Sequence, residues 1–311
     1  MDPRILEAMM PDVVAASYFA RLMADGYCII PGAMDPRVGE RVNCELESRF
    51  VQTPFCKGAF YGETTKRFGS LLNRSETIQS FVLNPLVLKL VQGALGPHCD
   101  RFNLNLTQAI EIHPGAPAQF AHRDQAMWGG PKGELEYLVN VMWPLTPFTA
   151  ENGATVLWPG SHREQDKGFL PVEDSVVAAM EPGSVLLFLG STLHAGGANR
   201  SNAPRRGILI SYCLGWLRQF ETQMLVYPPA VARGFPRELA ELIGYSIHRP
   251  NLGNYEGQSP AVLLERDVPD FIQAQDALTS EQQAMIEQLE NGGIPMEAVR
   301  NIRGHNAQAA A

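Results

Sequence analysis

Between Phe102 and Trp216 the chain is cut into short apolar segments at regular intervals, and that punctuation limits the folds open to it. Phe102-Asn103-Leu104-Asn105-Leu106-Thr107-Gln108 alternates apolar with polar, the period-two pattern of a strand with one polar face. Further strands are expected at Tyr137–Leu145, Ala154–Trp158, Ser184–Leu189 and Gly207–Trp216. Turn-forming stretches separate them: Gly129-Gly130-Pro131, Glu151-Asn152-Gly153, Pro159-Gly160-Ser161 and Glu181-Pro182-Gly183. Leading helices followed by short strands of this kind point to a mainly β protein with flanking helices, arranged as a double-sheet jelly roll.

Ahead of the strands the periodicity is helical. Val14, Tyr18 and Leu22 fall on one face of an expected helix over 12–25, with Asp12 as its N-cap and Gly26 as its end. Tyr27-Cys28-Ile29-Ile30 reads as a short buried strand stopped by Pro31-Gly32. Val38, Val42, Leu46 and Phe50 mark a second helix, and a third covers Pro85 to Leu95. Gln52 to Gly69 reads as an irregular loop, and the Pro/Gly/Asn-rich run Arg249–Pro260 as another. Long loops of this kind in a compact enzyme are candidates for lid and substrate contacts. A short helix is expected at Arg237–Leu242, a capped amphipathic one at Ser280–Gln288, and disorder from Gly304 onward. Repeats and low-complexity linkers are lacking, so residues 1–311 read as one domain, with a core over about 12–260 and a tail over 261–311.

A formal charge of −8 and a pI near 5.4 argue against nucleic acid or an anionic membrane surface as the main partner. No apolar run reaches the length of a membrane span, and Met1-Asp2-Pro3-Arg4 lacks the basic-then-apolar pattern of a signal peptide. Cys28, Cys44, Cys56, Cys99 and Cys213 are scattered, odd in number and without a Cys-x-x-Cys pair. They read as reduced thiols of a cytoplasmic protein.

The chemistry centres on His122-Arg123-Asp124. On an extended backbone, residues two apart project from the same face, so an imidazole and a carboxylate can hold one metal there. His194, at the end of the apolar strand Val185–Leu189 and before Ala195-Gly196-Gly197, is the candidate for the third ligand of a 2-His-1-carboxylate triad. Arg205 and Arg206, at the start of the next strand, offer a planar fork for a carboxylate cosubstrate. Thr155 and Gln119 are candidates to donate hydrogen bonds to the same ligand. Phe60, Met127, Trp128 and Trp143 are candidate linings of an apolar pocket. The other histidines, His98, His113, His162, His248 and His305, have no paired acid at ligand spacing, and His162 is expected to serve a turn. The chain has no Walker loop, no Gly-x-Gly-x-x-Gly and no Gly-x-Ser-x-Gly elbow.

Taken in order, His122-x-Asp124, Glu151-Asn152-Gly153-Ala154-Thr155, Pro159-Gly160-Ser161-His162 and His194-Ala195-Gly196-Gly197-Ala198-Asn199-Arg200-Ser201 through Arg205 resemble the phytanoyl-CoA dioxygenase family. The resemblance runs from about Ala15 to about Pro260. His122–Trp128, with Leu242-Ile243-Gly244-Tyr245 and His248-Arg249-Pro250, is most similar to the branch that tailors fungal meroterpenoids and related natural products.

The resemblance implies a cupin-like double-stranded β-helix and a ferrous, 2-oxoglutarate-dependent oxygenase that also consumes O2. His122, Asp124 and His194 would be the iron ligands. Arg205 or Arg206 would clamp the distal carboxylate of 2-oxoglutarate, Gln119 and Thr155 would assist, and Arg67 would be a further cosubstrate contact. The expected reaction couples decarboxylation of 2-oxoglutarate to succinate with oxidation of an unactivated C–H bond in an apolar small molecule, of terpenoid or meroterpenoid class. Hydroxylation is the default outcome, with desaturation or rearrangement as variants. Asp124 stands where related halogenases carry a small residue, which argues against halogenation. The same branch implies a homodimer. Alternatives are an acyl-CoA or other lipid-like substrate, a non-oxidative jelly-roll isomerase using a metal as Lewis acid, and a binding protein that keeps only the fold.

Overall fold

The computed structural model of the chain describes residues 3–164, 171–265 and 268–291. The disorder expected from Gly304 onward lies outside these residues.

Helix α1 (Pro3–Asp25) begins well before Asp12 and runs through Pro11. Its buried positions are Ala15 and Leu22, with Tyr18 and Phe19 half-buried between them, whereas Val13 and Val14 face solvent. Tyr18 and Leu22 of the expected stripe thus face inward, but Ala15 takes the inner position expected of Val14, because spacings of seven and eight to Leu22 both return to the same face. Strand β1 (Tyr27–Ile30) and helix α2 (Pro36–Gln52) follow as expected. Asp35 caps α2 by accepting from the Arg37 amide, and Val42, Leu46 and Phe50 form its buried face.

The segment expected to be irregular over 52–69 ends instead in strand β2 (Thr65–Phe68), which carries Arg67. Helix α3 (Ile78–Val82) and helix α4 (Pro85–Leu95) come next, the latter capped by Asn84 accepting from the Val87 amide. Gly93 of α4 meets α1 at the Phe19 ring, where a Cβ would lie 2.7 Å from the ring carbons.

The remaining strands are β3 (Phe102–Ile112), β4 (Leu138–Pro144), β5 (Thr155–Leu157), β6 (Val176–Val177), β7 (Val185–Leu189), β8 (His194–Gly196) and β9 (Arg205–Leu214). One antiparallel sheet has the order β1-β7-β4-β9-β3-β2, and a smaller one the order β6-β5-β8. Ile110, Ile112, Met142, Leu186 and Phe188 of the large sheet pack with Leu157 of the small one, so the two face each other across a common core. The arrangement is a jelly roll whose larger sheet is not closed into a barrel.

The outer face of the large sheet is covered as well. The Trp143 ring of β4 packs edge-on against Phe81 of α3 at 5.1 Å, and the Tyr212 hydroxyl of β9 donates to the Val82 carbonyl at 2.6 Å. This two-sided burial explains why β4 and β9 read as continuous apolar runs rather than alternating ones.

By internal contacts the chain forms two compact units, Met1–Tyr245 and Ser246–Ala311. The first contains both sheets. In the second, Tyr255 and Gln258 pair as a β-bridge and Gly257 lies against Ala274. The helix Ser280–Glu290 starts at a capping box of Thr279 and Gln282, and none of its side chains is buried. No helix among the described residues is long and apolar enough to cross a membrane.

Candidate metal and cosubstrate site

The inner face of the large sheet supplies one wall of a cleft that is open at its mouth. Strand alternation decides which side chains line it. From β3 come Leu106, Gln108, Ile110 and Ile112, from β4 Leu138, Asn140 and Met142, and from β9 Arg205, Leu209 and Ser211. Thr155 of β5 and His194 and Gly196 of β8 close the opposite wall. Phe60, Met127 and Phe220 are partly exposed at the rim.

His122, Asp124 and His194 converge on this cleft, each with one donor atom, and the three donor atoms lie within 4.8 Å of one another. His122 is not on a regular strand. It forms an isolated bridge with His194, each residue's amide donating to the other's carbonyl at 2.9 and 3.0 Å. Arg123 continues the extended backbone, and Asp124 then opens a short 3-10 turn through Met127.

Both imidazoles are oriented by their own backbone. The Nδ1 of His122 lies 3.0 Å from the Phe120 carbonyl, and the Nδ1 of His194 lies 3.1 Å from the Thr192 carbonyl. Each Nε2 is thereby turned toward Asp124, at 3.4 Å from Oδ1 for His122 and 3.6 Å from Oδ2 for His194. The Asn140 amide donates to Asp124 Oδ2 at 2.9 Å.

The electrostatics favour a cation. Burial works to raise the Asp124 pKa, but the two imidazoles and the Asn140 amide outweigh it and hold the carboxyl down at about 2. Burial pushes His194 below its ordinary value, toward the neutral form that ligates metals. At His122 the opposing effect of burial is outweighed by Asp124, and its pKa is raised. A carboxylate between two imidazoles with free Nε2 atoms is the donor set of a hard-to-borderline divalent metal such as Fe(II).

Arg205 also lines the cleft: it is 2% exposed and has no acidic partner among the described residues. Its Nη2 donates to the Gly153 carbonyl at 2.6 Å, and its guanidinium lies 4.1 Å from the centre of the Phe148 ring. Among the described residues, Nε and Nη1 are buried without a hydrogen-bond partner. Burial, with Arg67 nearby, pushes its pKa down to about 9, which leaves it cationic at neutral pH. Gly153 can hold this position because its φ is +86° and an added Cβ would lie 2.6 Å from the Gly197 carbonyl oxygen. An unpaired buried guanidinium is costly, and an anion in the cleft removes the cost. The residues therefore fit both iron and a small dicarboxylate such as 2-oxoglutarate.

The other expected residues divide. Thr155 lines the cleft. Arg67 lines it too, with Nη1 donating to Gln108 at 3.1 Å, its guanidinium 5.2 Å from the Tyr61 ring centre, and Nε buried without a partner among the described residues. Gln119 is on the wall, but its amide engages backbone at both ends, donating to the Phe60 carbonyl and accepting from the Gly196 amide.

Arg206 does not reach the cleft. One residue after Arg205, it faces the outer side of β9, donates to Glu111 at 2.6 Å, pairs with Glu47 of α2 and covers the Phe50 ring. Phe60 and Met127 line the cleft as expected, whereas Trp143 points outward to Phe81 and Trp128 donates its Nε1 to the Arg218 carbonyl outside the lining. Asn140 was missed by sequence reasoning, although a lone amide inside Leu138-Val139-Asn140-Val141-Met142 was a visible signal.

Comparison with known proteins accords with this geometry. The family model described as phytanoyl-CoA dioxygenase (PhyH) matches residues 22–207. Dioxygenase aneA of Aspergillus aculeatus is 33% identical over 71% of this chain and 76% of its own length. The multifunctional dioxygenase ausE of Emericella nidulans is 30% identical over 78% of this chain and 88% of its own length. Among solved structures, the non-heme α-ketoglutarate-dependent epimerase SnoN from nogalamycin biosynthesis shares the fold, with a TM-score of 0.56 at 18% identity over 66% of this chain and 84% of that one. With more than half its length matched by the family model and its relatives covered over most of their own, the chain belongs to the phytanoyl-CoA dioxygenase family.

Proposed function

We propose that this dioxygenase oxidises a C–H bond of a neutral, apolar small molecule of terpenoid or meroterpenoid type, in secondary metabolism. In this reading His122, Asp124 and His194 hold Fe(II), and Arg205 binds the distal carboxylate of 2-oxoglutarate. Iron and 2-oxoglutarate, when bound, supply an oxidant strong enough to break an unactivated C–H bond.

The chain's own residues orient and exclude. Nε and Nη1 of Arg205 form the carboxylate fork, with Phe148 and Gly153 fixing its plane. Thr155 and Arg67 line the same cleft and would flank the cosubstrate. Asn140 keeps Asp124 facing the imidazoles. Phe60, Met127, Leu138 and Phe220 give the substrate an apolar surface and keep water from the reacting carbon.

The carrying observation is the buried Arg205 fork, unpaired and in the same cleft as the triad. A neutral substrate is favoured because, among the described residues, the arginines lining that cleft are Arg67 and Arg205, and both would be taken up by the cosubstrate in this reading. The relatives named above, dioxygenases of two fungi, support the oxygenase chemistry of this reading. We also propose that the protein is a homodimer.

The test is 2-oxoglutarate-dependent oxygen consumption by the Fe(II)-loaded protein across a panel of terpenoids, beside Asp124→Ala. Succinate formation that rises with one of these substrates and vanishes in the variant is the expected result. Failure of the loaded protein to bind 2-oxoglutarate would overturn the reading.

A further inference from the structure

His194 is preceded by the tight loop Gly190–Leu193, and every backbone carbonyl of that loop is engaged. Gly190 accepts from the Gln125 amide at 3.1 Å, Thr192 faces the His194 ring at 3.1 Å, and Leu193 accepts from the Trp158 amide at 3.0 Å. The fourth, Ser191, accepts from the Nε of Arg123 at 2.9 Å. Arg123 is the residue between His122 and Asp124, and its backbone alternation carries its side chain away from the cleft that those two face.

The same guanidinium reaches a second segment. Its Nη2 donates to the Ser161 carbonyl at 3.1 Å and to the Glu164 carbonyl at 3.2 Å. Ser161 in turn accepts the Leu193 amide on its hydroxyl at 2.8 Å. One side chain thus ties the His122–Asp124 segment both to the loop that carries His194 and to the turn that buttresses this loop. The fork geometry of arginine suits it to several carbonyl oxygens at once, which a lysine point charge does not reproduce.

We infer that Arg123 is a positioning residue for the metal centre, its guanidinium clamping the Ser191 carbonyl so that His194 and the His122–Asp124 pair keep the spacing needed to share one ion. The inference rests on the proposed metal site. It does not rest on the identity of the cosubstrate or the substrate. Residues behind metal ligands commonly change metal affinity by 10- to 100-fold when altered, and Arg123 is placed to act with that magnitude.

The experiment measures Co(II) affinity and the Co(II) d–d absorption spectrum in four proteins: wild type, Arg123→Gln, Arg123→Lys and Arg163→Gln. Arg163 belongs to the same 3-10 turn and also donates to a carbonyl, that of Met23, but it has no bond to the 190–193 loop, so it reports the effect of loosening the turn alone. The expected result is a Co(II) Kd raised roughly 10- to 100-fold in Arg123→Gln with an altered d–d spectrum, a smaller increase in Arg123→Lys, and wild-type affinity in Arg163→Gln. Should Arg123→Gln not fold, the Arg123→Lys spectrum and affinity decide. An unchanged Kd and spectrum in the Arg123 variants, even with a lowered melting temperature, would overturn the inference and leave Arg123 as a purely structural residue. Failure of the wild type to bind Co(II) or Fe(II) would instead strike at the proposed metal site.

Discussion

The two faces of the strip formed by β2, β3 and β9 hold the same kinds of charge under opposite conditions. On the outer face, Arg206 and Lys66 stand at the register positions on either side of Glu111 and both pair with it. His113 and Glu47 extend the group, with the His113 Nε2 2.6 Å from Glu111 and Glu47 against Arg206. On the inner face, Arg67 and Arg205 are adjacent in sequence to those same two residues, yet neither pairs with an acid in the cleft. Desolvated charge with partners is structural and has no need of a ligand. Desolvated charge without partners is poised for an anion. The distinction lies in geometry alone, because residue type and sequence position are nearly the same.

The sharpest way to break this comparison is to exchange the inner charge. Arg205→Gln should raise the 2-oxoglutarate Kd by about 100-fold or more, since a charge-assisted bidentate contact is lost, and should abolish the rise in melting temperature that 2-oxoglutarate gives the wild type. Calorimetric titration with 2-oxoglutarate checks the first effect and differential scanning the second. A variant that binds like the wild type would remove Arg205 from the site.

Arg206→Gln should do the reverse. It leaves the 3%-exposed Glu111 side chain short of its nearest cation, so stability should fall by on the order of 2 kcal/mol in urea unfolding, while 2-oxoglutarate affinity stays within about twofold of the wild type. A large loss of affinity with little loss of stability would erase the distinction between the faces.

The metal triad adds a pH-dependent test. Protons and metal compete for His122, whose pKa is raised chiefly because Asp124 outweighs the lowering effect of burial. Metal affinity should therefore weaken as pH falls through that raised value, and Asp124→Asn should move the transition to lower pH while weakening the metal throughout. Metal titrations across pH read both effects; a transition left in place by Asp124→Asn would argue that the two groups are not coupled.

The smallest expected effect is at Thr155. Thr155→Val removes a neutral hydroxyl from the cleft wall and should raise the 2-oxoglutarate Kd about fivefold, the scale of one net hydrogen bond. The same titration sets it beside the Arg205 change.

Much of this architecture was legible in the residues. Alternating or short apolar runs mark β1, β3, β4, β5, β7 and β9, and a period of 3.6 marks α2 and α4, with Gly and Pro between them, because these signals are local. Strands β2, β6 and β8 are too short, or too polar or small in their side chains, to carry such a signal. The order of His122, Asp124, His194 and Arg205 along the chain identifies the family and its candidate site, since motif spacing survives where tertiary detail varies. Asn140 was available too, as the one amide in an apolar strand.

The tertiary structure alone decided which arginine faces inward. Alternation requires Arg205 and Arg206 to point oppositely, but β9 is buried on both sides, so its apolar pattern does not say which face holds the cleft. It likewise sent Trp143 outward to Phe81 and brought Arg67 onto a strand beside Arg205, a pairing that depends on the β2–β3–β9 order. It also gave Arg123 three backbone carbonyls from two segments distant in sequence. Local chemistry is written in neighbouring residues. Which face a side chain takes, and which distant carbonyl it meets, is set only when the sheets pack.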